Sequence, residues 1–186
     1  MKSTSRGSKS PSRRRAVRSE PPTAAADDRD FLGQMLDEAY RLPNWNATHL
    51  RGALRRVTPE MAAWRAPHVR RSIADIVVHC AYWKYALRRK LTGEKPGGFP
   101  FSGSNWFSTP RTLTPVIWKD YLQLLDQQHE RLREAIRATK LSLDFRRPHQ
   151  DGQWTSVQRT FWLAIHDGYH TGQINLIKAM YRRAHA

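Results

Sequence analysis

Apolar residues recur along this chain at helical spacing in separate segments, and strand-like alternation is scarce throughout. The first segment carries Phe31, Leu32, Met35, Leu36 and Ala39 behind Asp28 and Asp30, acidic residues that suit a helix N-terminus. Pro43 interrupts it. The pattern resumes with His49, Leu50, Ala53, Leu54 and Val57 and is closed by Thr58 and Pro59, which predicts one kinked helix or two short ones. Ser72 and Asp75 have the spacing of an N-cap with an acidic third helical residue, ahead of a helix bearing Ile73, Ile76, Val77, Cys80, Trp83 and Leu87 and ending near Leu91. Thr114 caps and Pro115 opens a helix with core positions Trp118, Leu122, Leu125, His129, Leu132 and Ile136. Thr155 and Gln158 form a capping box that launches a last helix to about Arg183. The fold predicted is all-α, a bundle of about four helices.

Two loops separate these segments. Residues 92–113 are rich in Gly, Pro, Ser and aromatics, and loops of that length usually cover a functional site or are disordered; a second loop spans 141–154. In the last helix, at ~100° per residue, Trp162, Ile165, His166, Tyr169, Gln173, Leu176, Ile177 and Met180 form one stripe with His170 at its edge. Asp167, Thr171, Asn175, Lys178 and Arg182 cluster opposite. The stripe predicts inward-facing imidazoles at His166 and His170. Such i, i+4 neighbours lie only ~5 to 6 Å apart at Cβ, near enough to share one metal ion. Two ligands hold an ion weakly, so a third is needed, and His79, beside Ile76 and Trp83 on a second helix, is the best candidate.

Composition sets the remaining bounds. With 186 residues the chain fits one domain plus a tail, and seven Trp, six Tyr and six Phe supply core surface despite a mean hydropathy of −0.72. Of the net charge of +16, seven charges lie in residues 1–19, where no acidic residue stands. Residues 1–27, made of Ser, Arg, Pro and Ala without periodic hydrophobes, read as a disordered basic tail, and residues 28–186 as the bundle. The single Cys80 fits a reducing, cytoplasmic setting, and no apolar run reaches membrane-spanning length or forms an export signal.

The stretch SIADIVVHCAYWKYALRRKLTGE resembles the first histidine helix of the DinB-like superfamily, and AIHDGYHTGQINLIKAM resembles that family's closing HxxxHxGQI segment. The resemblance covers roughly residues 28–183. It implies an up-down-down-up four-helix bundle in which His79, His166 and His170 bind a divalent transition metal, zinc or nickel foremost. Related proteins include thiol-dependent S-transferases using bacillithiol, mycothiol or glutathione, and a maleylpyruvate isomerase, so a low-molecular-weight thiol is an implied cosubstrate. Fold resemblance supports the metal better than any one reaction.

Other residues carry two readings each. Asp75 either orients the His79 ring as a hydrogen-bond acceptor or belongs to the helix cap. Gln173 bonds His170 or a ligand, or it packs. Trp106 covers the pocket or anchors its loop. His129 reads as a packing residue outside the site, Cys80 as a small core hydrophobe, and Asp167 as a polar-face residue turned away from the ligands. No nucleophile elbow, phosphate loop, zinc finger or HExxH protease motif occurs. The expectations are a thiol-dependent transferase or hydrolase, a non-catalytic bundle stapled by metal, or nucleic-acid association through the basic tail. A small-molecule substrate or thiol and a homodimer are the expected partners, with no membrane.

Overall fold

The structure, a computed structural model, describes residues 24–139 and 154–186, with side chains from residue 29 onward. Most of the expected tail, and the 141–154 loop except Trp154, lie outside the described residues. Six helices are present among them: α1 (Ala24–Tyr40), α2 (Leu50–Ala53), α3 (Pro59–Ala63), α4 (Ile73–Thr92), α5 (Pro115–Ala138) and α6 (Ser156–Ala184). No strand occurs among the described residues, and no described helix is long and apolar enough to cross a membrane.

Local chemistry sets the helix starts. Both halves of the capping box form at α4, where the Asp75 amide donates to Ser72 Oγ (3.1 Å) and the Ser72 amide donates to Asp75 Oδ2 (3.0 Å). Gly93, at φ 74°, ends α4 in the left-handed conformation that glycine adopts without a Cβ penalty. Thr114 and Pro115 open α5, and Thr155 with Gln158 boxes the start of α6. Thr58 and Pro59 do not close an element: Thr58 accepts from the Met61 amide and Pro59 occupies the first turn, so the pair starts α3. His49 is likewise a cap, accepting from the Gly52 amide (3.0 Å) at α2. Helix α1 takes in Ala24 to Asp27, which composition had assigned to the tail; the high helix propensity of alanine accounts for the extension.

Contacts fix the helix directions. Arg29 donates to the Arg137 carbonyl while Asp37 meets His129, so α1 and α5 are antiparallel. His79 meets His166 and His170, while Leu87 and Lys90, further along α4, share a cavity with Leu163 and Arg159, so α4 and α6 are antiparallel. Leu32 and Leu36 pack with Val157 and Leu163, and Thr48 meets Asn175, so α1 and α6 run the same way. Helices α4 and α5 are parallel: Ile73 and Val77 cluster with Trp118 and Leu125, and Leu87 with Leu132 and Ile136. The topology is up-down-down-up. A parallel neighbour to the 20-residue α4 requires a return over about 30 Å at 1.5 Å per residue, which is the physical reason for the long 93–114 connection.

The interior has two apolar clusters with a polar layer between them. One gathers Leu50, Ile73, Val77, Leu125 and Ile174; the other gathers Leu32, Leu36, Leu87, Leu132 and Leu163. Between them Lys84 and Asp167, both 0% exposed, form an ion pair, and the Lys84 ammonium also lies 4.8 Å from the Tyr40 ring centroid. In the same layer His129 stacks on Tyr40 (3.9 Å) and bonds Asp37 (2.7 Å), which also pairs with Arg133. His129 therefore serves this network, apart from the histidine cluster.

The exposed face of α6 differs from the expected one. Trp162, Ile165, Tyr169 and Leu176 are 44–62% exposed, whereas Asp167, Thr171 and Lys178 are buried with Leu163, Ala164, His170, Ile174 and Ile177. Asp167 thus faces the core, against the polar-face reading. Its side chain is held there by Lys84, while Lys178 donates to the carbonyls of Ala53 and Arg55. Removing one partner of the buried pair leaves an uncompensated charge. Lys84→Met is expected to lower the unfolding free energy by about 3–5 kcal/mol, and Lys84→Met with Asp167→Leu to recover most of that. Urea denaturation of the three proteins checks this; equal losses in single and double variants would contradict it.

Candidate metal centre

His79 on α4 and His166 and His170 on α6 come together at the seam between those helices. His79 Nε2 lies 2.9 Å from His166 Nε2, and His170 Nε2 lies 3.1 Å from it. His79 and His170 are buried and His166 is half-buried. The far nitrogens of two rings are held: the Asn105 carbonyl accepts from His79 Nδ1 (2.7 Å), and Gln173 Oε1 accepts from His170 Nδ1 (2.7 Å). Gln173 in turn donates to the Tyr169 hydroxyl (2.8 Å), an orientation that turns its oxygen toward the ring. With protons on those Nδ1 atoms, both Nε2 lone pairs point at His166.

A single hydrogen on His166 Nε2 can satisfy only one of the two facing lone pairs. A cation satisfies all three nitrogens. Tetrahedral coordination with Zn–N bonds of about 2.0–2.1 Å separates ligand nitrogens by about 3.3 Å, within a few tenths of an ångström of the distances seen. The donor set therefore fits a borderline divalent ion and could hold one.

The electrostatics keep these rings neutral, the form a metal requires. Burial lowers His79 from 6.5 to about 4, partly opposed by its bond to Asn105 and reinforced by His170 and Arg71. Burial, with His170, His79 and Lys84, lowers His166 to about 3, and burial lowers His170 as well. Cys80, His166 and Asp167 also lie close enough to share an ion. That second group is the poorer donor set: burial pushes the Cys80 thiol well up, and Asp167 is already engaged by the Lys84 ammonium.

The 93–114 loop completes the site. Asn105, at φ 65°, sits in the left-handed region that asparagine tolerates better than most residues; its carbonyl takes His79 and its side chain accepts from Trp83 Nε1 (3.1 Å). The Trp106 ring stacks on His79 at 3.7 Å and 6°, and the Arg71 guanidinium lies 4.5 Å from the indole centroid on Trp106. Trp106 both covers the cluster and anchors the loop. Asp75 does not orient His79, as one reading had it: its carboxylate accepts from Ser72, Thr109 and Arg65. Thr109, which it holds, lies on the loop that carries Asn105. Sequence reasoning missed Asn105, Arg71 and Lys84; an Asn among glycines and serines hints at a left-handed turn, but nothing local reveals what its carbonyl meets.

Bundle and cluster together define a class, an all-α protein with a buried three-histidine group able to hold a metal ion. The family model of the DinB superfamily matches residues 44–174, well over half the chain and inclusive of all three histidines. This chain belongs to the DinB superfamily. No curated protein and no solved structure gives a significant match.

Because the folded-state pKa values of these histidines lie below their unfolded value, the unfolded chain binds protons first as pH falls. Stability contributed by neutral His79 and His166 is present above about pH 6.5 and is lost toward pH 4 and below. Thermal melts of metal-free protein should show the melting temperature falling through that window, and His166→Gln should flatten the fall. An unchanged slope in that variant would assign the acid sensitivity to other groups.

Proposed function

We propose that this protein is a metal-dependent enzyme, a thiol-dependent S-transferase or a hydrolase, whose divalent transition metal, zinc or nickel, is held by His79, His166 and His170. The convergence of three Nε2 atoms with two Nδ1 atoms already engaged by acceptors carries the reading. When bound with positions left open, such a metal lowers the pKa of a thiol or water so that its anion is available at neutral pH. The protein's part is positional. Asn105 and Gln173 fix the ring tautomers and raise the basicity of the nitrogens they leave free. Trp106 keeps bulk water from one face of His79, and half-buried His166 marks the approach for a small-molecule substrate.

The site also joins α4 to α6, which supports a second reading in which metal only staples the bundle. A cytoplasmic protein acting on small molecules, in monomer or homodimer, suits both. The charge of +16 supports at most an auxiliary nucleic-acid contact through the basic N-terminal segment.

Untagged protein is expected to take up one equivalent of zinc or nickel, and His79→Ala to abolish both uptake and turnover while the helical circular dichroism persists. Gln173→Leu should weaken metal affinity by roughly 10–100-fold. Apo, zinc and nickel forms assayed against electrophiles with and without low-molecular-weight thiols separate transfer from hydrolysis. Inert metal-loaded forms, with metal removal lowering only the melting temperature, would favour the staple.

A further inference from the structure

A cavity of about 320 Å³ opens beside the histidine cluster, between α4 and the N-terminal half of α6. Trp83, Trp154 and Trp162 line it, Lys90 and Arg159 line it with them, and His166 belongs both to it and to the cluster. Burying large indoles in the core is the usual outcome of folding, yet here Trp83, Trp154 and Trp162 remain 39%, 39% and 47% exposed around one hollow. Trp154 and Trp162 meet edge to face at 5.5 Å, which gives the wall a defined shape. The hollow is at the small end of ligand sites.

Its charge is one-sided. Both ionisable side chains other than His166 that line it are cations, and no acidic side chain lines it among the described residues. Lys90 and Arg159 make no ion pair among the described residues; Arg159 spends one N–H on the Trp154 carbonyl (2.9 Å) and Lys90 is exposed. Apolar aromatic walls with unpaired cations match a molecule having a flat apolar body and an anionic group.

We infer that this cavity is the substrate subsite of the histidine centre and that it takes small organic anions with a flat apolar or aromatic body, such as aryl carboxylates. The inference deepens the metal-dependent reading above and rests on it for the reaction, though not for binding. The apolar body lies among Trp83, Trp154 and Trp162, the anionic group meets Lys90 and Arg159, and the end of the molecule nearest His166 faces the open side of the histidine cluster.

Isothermal titration of the full-length, metal-loaded protein with 2-naphthoate, its neutral amide and 2-naphthylmethylamine tests this. The acid should bind about tenfold or more tighter than the amide, the equivalent of one charge-assisted hydrogen bond, and the amine should bind most weakly. Lys90→Gln with Arg159→Gln should erase the preference for the acid and leave amide binding unchanged, and Trp162→Ala should weaken acid and amide together. These side chains are exposed or half-buried, and metal stoichiometry measured on each variant should match the wild type. Absence of binding, equal binding of acid and amide, or affinities indifferent to the variants would overturn the subsite. If the binding pattern holds in protein that takes up no metal, the subsite stands and the metal reading falls; if metal binds and the pattern is absent, the subsite alone falls.

Discussion

The buried ion pair of Lys84 and Asp167 governs the rest of the architecture. Taking both charges out of water costs several kcal/mol per ion before their attraction is counted, so neither can be buried without the other. Asp167 must therefore face α4, and because successive helix residues turn by about 100°, that one requirement sets the rotation of all of α6. His170 then falls beside His79, and His166 at the rim. The polar layer of Tyr40, Asp37, His129 and Arg133 continues this pair across to α1 and α5, so register is specified where apolar packing alone would tolerate slippage.

Helix starts were legible because their information is local: Ser72 with Asp75, Thr114 with Pro115 and Thr155 with Gln158 each lie within one turn. The same grammar was misread at Thr58 and Pro59, where a start signal followed an apolar run closely enough to look like its end. The three histidines could be nominated from spacing and resemblance. The phase of α6 could not. Large apolar residues occupy one side of that helix and smaller ones the other, and hydropathy alone favours the bulkier side. The deciding partner, Lys84, lies 83 residues away in sequence.

The long loop illustrates how topology and site support each other. Parallel α4 and α5 demand a return the length of the bundle, and the returning chain passes over the histidine seam. Asp75, by capping α4 and holding Thr109 with the same carboxylate, ties the start of the helix to the cover of the site. Asn105 and Trp106 then fix the ring of His79, one by its carbonyl and the other by stacking.

The sequence separation within the histidine cluster has a thermodynamic side. His79 and His166 are 87 residues apart, whereas His166 and His170 share one helical turn. A partial site with two neighbouring imidazoles exists as soon as α6 coils, but the three-nitrogen site closes only when α6 docks against α4. An ion held by all three nitrogens would thereby have its binding free energy coupled to the docking of α6 on α4.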